Sequence, residues 1–222
     1  MKHKNKKLLI LGISLLALFI IWTVLICFVD IQQIGLEESS IGFANLNAYI
    51  HKLTGVNMLL YTITDWLSII PITVMAGFTI LGLLQLIKRK SPLKVDYSIL
   101  ALGVFYIILI MTYAFFEIVV INYRPIYING CLEASYPSST TMLVMCVMPA
   151  AAIELNKRIK SVVFRRSITI AITLFALFMV VGRFVSGVHW ITDIIGGALF
   201  SSGMVLIYSF AINKWSTNKK SS

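Results

Sequence analysis

The sequence predicts an all-α protein, a bundle of six transmembrane helices with both termini cytoplasmic. Three observations predict it. Hydrophobic residues make up 59% of the chain and the mean hydropathy is +0.90, against about 45–50% apolar in a soluble domain. The apolar residues are gathered into runs close to the ~20 residues that cross a bilayer. Most Lys and Arg sit in every second connection between those runs. Six spans of roughly 20–22 residues would use about 130 residues. Little is left for a soluble unit, and residues 1–222 are read as a single membrane domain.

The net charge is +10. In a soluble chain that would suggest nucleic acid. Here the positive residues occupy short loops, as orientation signals do, and no nucleic-acid partner is expected. Cys27, Cys131 and Cys146 are scattered. They form neither a disulfide framework nor a metal-ligand spacing, so no metal or other cofactor is expected.

The elements follow in order. Lys2, Lys4, Lys6 and Lys7 precede the first apolar run, Leu8 to Val29. It is too long for a signal peptide and lacks a small-residue cleavage site, so it reads as a retained span. Residues 30–55 form the longest polar connection, with Lys52 and His51 in it. Phe43, Leu46, Tyr49 and Ile50 recur at helical spacing, which predicts an amphipathic surface helix. Val56 to Ile87 is too long for one straight span, and Pro71 should kink it. Asp65 lies within this run and should face protein rather than lipid.

A basic loop, Lys88 to Lys94, leads to the third span, Tyr97 to Ile121, with Glu117 near its end. The connection 122–137 follows, with Arg124 its sole basic residue. Ser138 to Leu155 is the fourth span. The loop 156–166 carries five basic residues, and the fifth span runs from Ser167 to about Val181. Ile191 to Ile212 is the sixth, with Gly196, Gly197 and Ser201 available for close helix contact.

The N-terminus, loops 88–94 and 156–166 and the C-terminal tail hold most of the positive charge. Connections 30–55, 122–137 and 182–190 hold one basic residue each. The two sets alternate for six spans, which places both termini in the cytoplasm. Arg124, Ser138, Arg183 and His189 then all fall on the extracytoplasmic side of a cell membrane.

The stretch Gly182 to Asp193 holds Arg183, His189 and Asp193 between two apolar runs. Four residues separate His189 from Asp193, so on a helix they would share a face. A carboxylate accepting a proton from one imidazole nitrogen frees the other for attack or proton transfer. Arg183 offers a planar fork of donors that fits phosphate. An ion pair with a polar cap at a membrane boundary would explain the same trio. Arg124-Pro125 reads either as a snorkelling arginine or as a phosphate grip. Pro137-Ser138-Ser139-Thr140-Thr141 is an ordinary helix start, and also a cradle of free N–H groups and hydroxyls for an anion.

The order R-P, then P-S-S, then R-x5-H-x3-D resembles the type 2 phosphatidic acid phosphatase (PAP2) superfamily, six-helix membrane lipid phosphatases. The likeness covers Glu117 to Asp193 and the six-span layout. It implies that His189 is a nucleophile forming a phosphohistidine and that Asp193 orients it. It further implies that Arg124, Arg183 and Ser138 bind phosphoryl oxygens, with Ser139 and Thr140 beside them, and that the enzyme needs no metal. Gly182 stands where the pattern has a serine. Glu117 stands where it has a lysine, and Thr140 where it has the histidine that protonates the leaving group. Glu117, Glu133 and His51 are the candidate substitute acids.

A missing acid matters less for a diphosphate, whose phosphate leaving group has a pKa near ~6, than for an alkoxide comparable to hydroxide at ~15.7. The expected substrate is therefore a lipid phosphate or diphosphate, a polyprenyl diphosphate ahead of phosphatidic acid. The alternative is a catalytically impaired protein on the same scaffold that binds or moves an anionic lipid. An unrelated transporter would want polar residues through the midplane of several spans, and Asp65 alone is too little.

Overall fold

The structure, a computed structural model, describes the backbone of residues 2–221 and the side chains of residues 5–215. Among the described residues there are eight α-helices: α1 (Lys2–Phe28), α2 (Ala44–Thr54), α3 (Met58–Leu67), α4 (Ile69–Arg89), α5 (Tyr97–Ile118), α6 (Ser139–Arg158), α7 (Val162–Val185) and α8 (Ile191–Ser221). They include no β-strand, only three isolated bridges in the loops. Six stretches are long and apolar enough to cross a membrane: Asn5–Phe28, Met58–Arg89, Tyr97–Ile118, Ser139–Arg158, Val162–Val185 and Ile191–Trp215.

Several boundaries have a local cause. The long second span breaks at Ser68, between α3 and α4. Pro71 cannot donate to the Leu67 carbonyl and its ring crowds that group, so the helix gives way just before the proline. The fifth span starts at Val162 rather than Ser167. Ser161 caps it by accepting from the Phe164 N–H, and Arg165 and Arg166 are good helix formers that extend it. The last helix likewise continues past Ile212, and α5 stops at Ile118, short of Ile121.

Helix α6 is the axis of the bundle. It packs against α4, α5, α7 and α8, while α1 lies along α8. Of its central stretch 61% is buried, against 6–44% in the other spans. It is also the least apolar span, with a mean hydropathy of 1.3. Both facts follow from one cause: a helix surrounded by protein can use small and hydroxylated residues, such as Ala150, Ala151 and Thr141, that let neighbours approach closely. Phe19, Phe116, Tyr136 and Phe200 join α1, α5, the loop before α6 and α8 in one aromatic cluster.

The connections sort into two ends. At one end Asp96 meets Arg89 and Arg158, and Glu154 is fully buried between Lys157, Arg158, Ser98 and Tyr208. A buried carboxylate costs several kcal/mol unless paired and hydrogen-bonded as it is here. At the other end, residues 30–57, 119–138 and 186–190 gather. The predicted amphipathic helix is α2. Its inner face is Ala44 and Asn47, while Leu46, Tyr49 and Leu53 point outward. Asn47 bonds to Thr192, and His51 Nε2 meets the Gly187 carbonyl at 3.0 Å, so α2 clamps the turn that carries His189.

Candidate active site

The turn between α7 and α8 is held from several sides. Asn57 donates its N–H to the Ser186 carbonyl. Gly187 has φ +66°, and a Cβ there would lie 1.9 Å from the Gly55 carbonyl oxygen, so only glycine fits. Helix α8 begins at Ile191, after His189. The Asp193 carboxylate folds back to accept the Trp190 N–H at 2.9 Å, as an acidic residue in a first turn commonly does.

His189 and Asp193 therefore do not meet across a shared helical turn. The His189 Nδ1 to Asp193 Oδ2 distance is 3.8 Å, too long for a hydrogen bond. Ser135 joins them. Its Oγ lies 3.1 Å from Nδ1 and donates to Asp193 Oδ2 at 2.5 Å. The Ser135 carbonyl also lies 3.1 Å from Nδ1. A carbonyl can only accept, so Nδ1 carries the proton and Nε2 holds the lone pair. Asn122 donates to the other Asp193 oxygen at 3.3 Å. All four side chains are buried. Burial, then the charges of Arg124 and Arg183, hold the imidazole well below its ordinary pKa of 6.5, against the raising effect of the Ser135 carbonyl. His189 is thus neutral at neutral pH.

Nε2 is buried and has no hydrogen-bond partner within the protein. The same holds for Nε and Nη1 of Arg124 and for Nε and Nη1 of Arg183. Leaving such polar atoms unpaired costs roughly 1–3 kcal/mol each, and more when charged. Both guanidiniums act electrostatically on His189. The arginines are held by other atoms. Arg183 Nη2 donates to Asp65 Oδ1 at 2.7 Å and the guanidinium lies 4.7 Å from the Tyr61 ring centroid. Arg124 Nε lies 3.1 Å from Glu133 Oε2, at ion-pair distance but not aligned as a hydrogen bond. Asp65 is 56% exposed rather than enclosed by protein, and its partner is Arg183.

The start of α6 divides. Ser138 is fully buried and its Oγ accepts from Thr141 at 3.0 Å. The N–H groups of the first helical turn have no intrahelical partners, as at any helix start. Ser139 and Thr140 line an apolar groove of ≈ 400 Å³ between α4, α5 and α6. Glu117 lines a small polar pocket with Ser135, Tyr136 and Ser139. His51 is turned to the Gly187 carbonyl, and its ring lies tilted against Trp190 with centroids 5.5 Å apart. Of the residues picked from the sequence, Arg124, Ser138, Arg183, His189 and Asp193 are brought together, Ser138 through its N–H, which donates to the Asp193 carbonyl at 3.1 Å. Ser135 escaped that reading, although it begins the hydroxyl-rich run that continues through Thr141.

In this membrane-spanning bundle an imidazole nitrogen without a hydrogen-bond partner shares a buried site with two guanidiniums that each keep unbonded N–H groups, an arrangement whose open donors suit an anion. The chain belongs to the PAP2 superfamily, whose model matches residues 72–217 and so takes in every motif above. Among solved structures, a transmembrane PAP2 type phosphatidylglycerolphosphate phosphatase from Bacillus subtilis is similar in fold. Its TM-score is 0.60 at 19% identity, over 92% of this chain and 96% of that one. No curated protein matches the sequence.

Proposed function

We propose that this chain is a lipid phosphatase of the cell membrane that cleaves a lipid diphosphate, a polyprenyl diphosphate foremost, at the outer face. The observation that carries the reading is the set of unpartnered buried nitrogens on Arg124, Arg183 and His189. Three groups of this kind in one place suit a tetrahedral dianion, with the guanidiniums on its equatorial oxygens.

The reaction follows from the tautomer. His189 Nε2 attacks the terminal phosphorus and the bridging P–O bond breaks to release prenyl phosphate, while Nδ1–H stays shared with Ser135, which Asp193 holds in place. The cation that forms on the ring is stabilised through Ser135 by Asp193. The arginines, Ser138 and the first-turn N–H groups of α6 take the charge that develops on the phosphoryl oxygens. Water then cleaves the phosphohistidine. The charge stabilisation needed comes from the two guanidiniums, and the reaction is proposed to need no metal. The groove between α4, α5 and α6 would take the start of the apolar tail. Glu133 would give up Arg124 as the phosphate arrives. Orientation rests on the basic loops 88–94 and 156–166 lying at the end opposite His189, as a cytoplasmic end would have them.

The test is phosphate release by purified protein in detergent, with EDTA present and His189→Ala as control. Release from a prenyl diphosphate that vanishes in the variant supports the reading. Faster release from phosphatidic acid than from a prenyl diphosphate would sink the diphosphate preference. No release from any lipid phosphate would leave a binding protein.

A further inference from the structure

The alcohol of an alkyl phosphate cannot leave as a bare alkoxide at a useful rate, and no ionisable side chain opens α6, where Thr140 stands. His189 is the nucleophile, His51 Nε2 is turned to the Gly187 carbonyl, and Glu133 is paired with Arg124. One further group faces the right space. Tyr113, four residues before Glu117 on α5, lines both the polar pocket that holds Ser135 and Ser139 and the apolar groove that holds Ser139 and Thr140. Glu117 stands one helical turn further on and lines the same polar pocket, within reach of the phenol. The side chain therefore stands where the phosphate end of a lipid would pass into its tail.

We propose that Tyr113 is a further catalytic residue of this site, the proton donor when the departing group is the alcohol of an alkyl phosphate monoester. The proposal rests on the phosphatase reading above. In the first step the His189 Nε2–P bond forms and the P–O bond to the alcohol breaks. The Tyr113 proton moves to the departing oxygen. The products are the alcohol, a phosphohistidine with its positive charge on the ring, and tyrosinate. In the second step water attacks phosphorus, one water proton returns to the tyrosinate, and the P–N bond breaks. Phosphate, neutral His189 and neutral Tyr113 result, and charge balances at each step.

The energetics select the substrate. A phenol with pKa ≈ 10 keeps its proton at neutral pH. A departing alkoxide, comparable to hydroxide at ~15.7, takes it downhill. A departing phosphate, near ~6, gains nothing from a phenol. The diphosphate reaction thus runs without Tyr113, and the monoester reaction depends on it.

The experiment compares Tyr113→Phe with wild type on three substrates: a long-chain alkyl phosphate, an aryl phosphate with an acidic nitrophenol leaving group, and a prenyl diphosphate. The expected result is a loss of about 10²–10⁴ in kcat on the alkyl phosphate, with little change on the other two. Glu117→Gln, which keeps a hydrogen-bonding partner for the phenol, should retain most of the alkyl activity. Equal losses on all three substrates would mean a structural role and overturn the proposal. So would wild-type activity on the alkyl phosphate that survives in Tyr113→Phe, or no wild-type activity on it at all. Diphosphate release that depends on His189 would still uphold the phosphatase reading in those cases. Absence of release from every substrate would remove both.

Discussion

Ser135 Oγ stands between His189 and Asp193, 3.1 Å from the imidazole Nδ1 and 2.5 Å from the carboxylate, while the two outer groups are 3.8 Å apart. The carboxylate therefore acts on the ring through a hydroxyl. Ser135→Ala should remove that link and leave a buried carboxylate oxygen short of a donor, a loss of roughly 1–3 kcal/mol. If the link stabilises the imidazolium formed on attack, the loss appears in kcat. Phosphate release should fall about 10- to 100-fold, with KM nearly unchanged. A fall in KM-linked affinity at constant kcat would refute this role.

The depressed pKa of His189 has two consequences with defined signs. The proposed attack by Nε2 needs the neutral ring, so protonation of His189 should not reduce kcat/KM between pH 8 and its ordinary pKa of 6.5. The acid limb should lie well below that value. Stability moves in the same direction. Above 6.5 neither the folded nor the unfolded form protonates this ring. As the pH falls below 6.5 the unfolded chain takes up a proton that the folded chain refuses, so the folded state loses stability by up to about 1.4 kcal/mol per pH unit, until the folded pKa is reached. Melting curves in detergent from pH 7.5 to 5 should show a larger drop for wild type than for His189→Gln. Parallel curves would contradict the assignment.

Asp65 and Arg183 form the second relationship of consequence. The carboxylate fixes Nη2 and leaves Nε and Nη1 free. Asp65 is more than half exposed, so the hydrogen bond is worth less than a buried one, about 1 kcal/mol or below. Asp65→Asn should lower kcat/KM by about three- to tenfold through misplacement of the guanidinium. Arg183→Ala should cost far more, since it removes both the free donors and the charge. Titration with inorganic phosphate or vanadate, following protection against thermal unfolding, would separate lost binding from lost chemistry. An Asp65→Asn variant as impaired as Arg183→Ala would show that Asp65 does more than hold the arginine.

How far the sequence could go depends on the kind of signal each residue leaves. The six spans were legible because lipid imposes a length and a hydropathy that no packing detail overrides. Arg124, Arg183, His189 and Asp193 could be picked out as candidates because ionisable groups beside apolar runs are few. Ser135 was not, because a loop serine obeys no period and only the fold shows it lying against an imidazole fifty-four residues away in the chain. Tyr113 was hidden for the opposite reason: inside an apolar run an aromatic residue looks like any other wall of the bundle. Helix ends at basic loops, as at Val162, were misplaced because positive charge sets topology without ending a helix.

Gly182, where the family pattern has a serine, has a steric explanation that can be tested. A Cβ at this position would lie 2.6 Å from Thr64 Cγ2, on the facing turn of α3. Helices α3 and α7 thus approach more closely than a serine allows, and the next residue in the chain is Arg183. Gly182→Ser should force the two helices apart. Overpacking of this sort costs roughly 1–3 kcal/mol, and for a chain of this size each kcal/mol is about 2–4 °C in Tm. Activity should fall too, because the shift carries Arg183 away from His189. Thr64→Ser deletes only the offending methyl and keeps the hydroxyl that donates to the Leu60 carbonyl at 2.9 Å. In the double variant Gly182→Ser/Thr64→Ser, both Tm and activity should recover towards wild type, a favourable coupling of the kind contacting residues show. Additive losses would place the cost of the serine elsewhere than at Thr64.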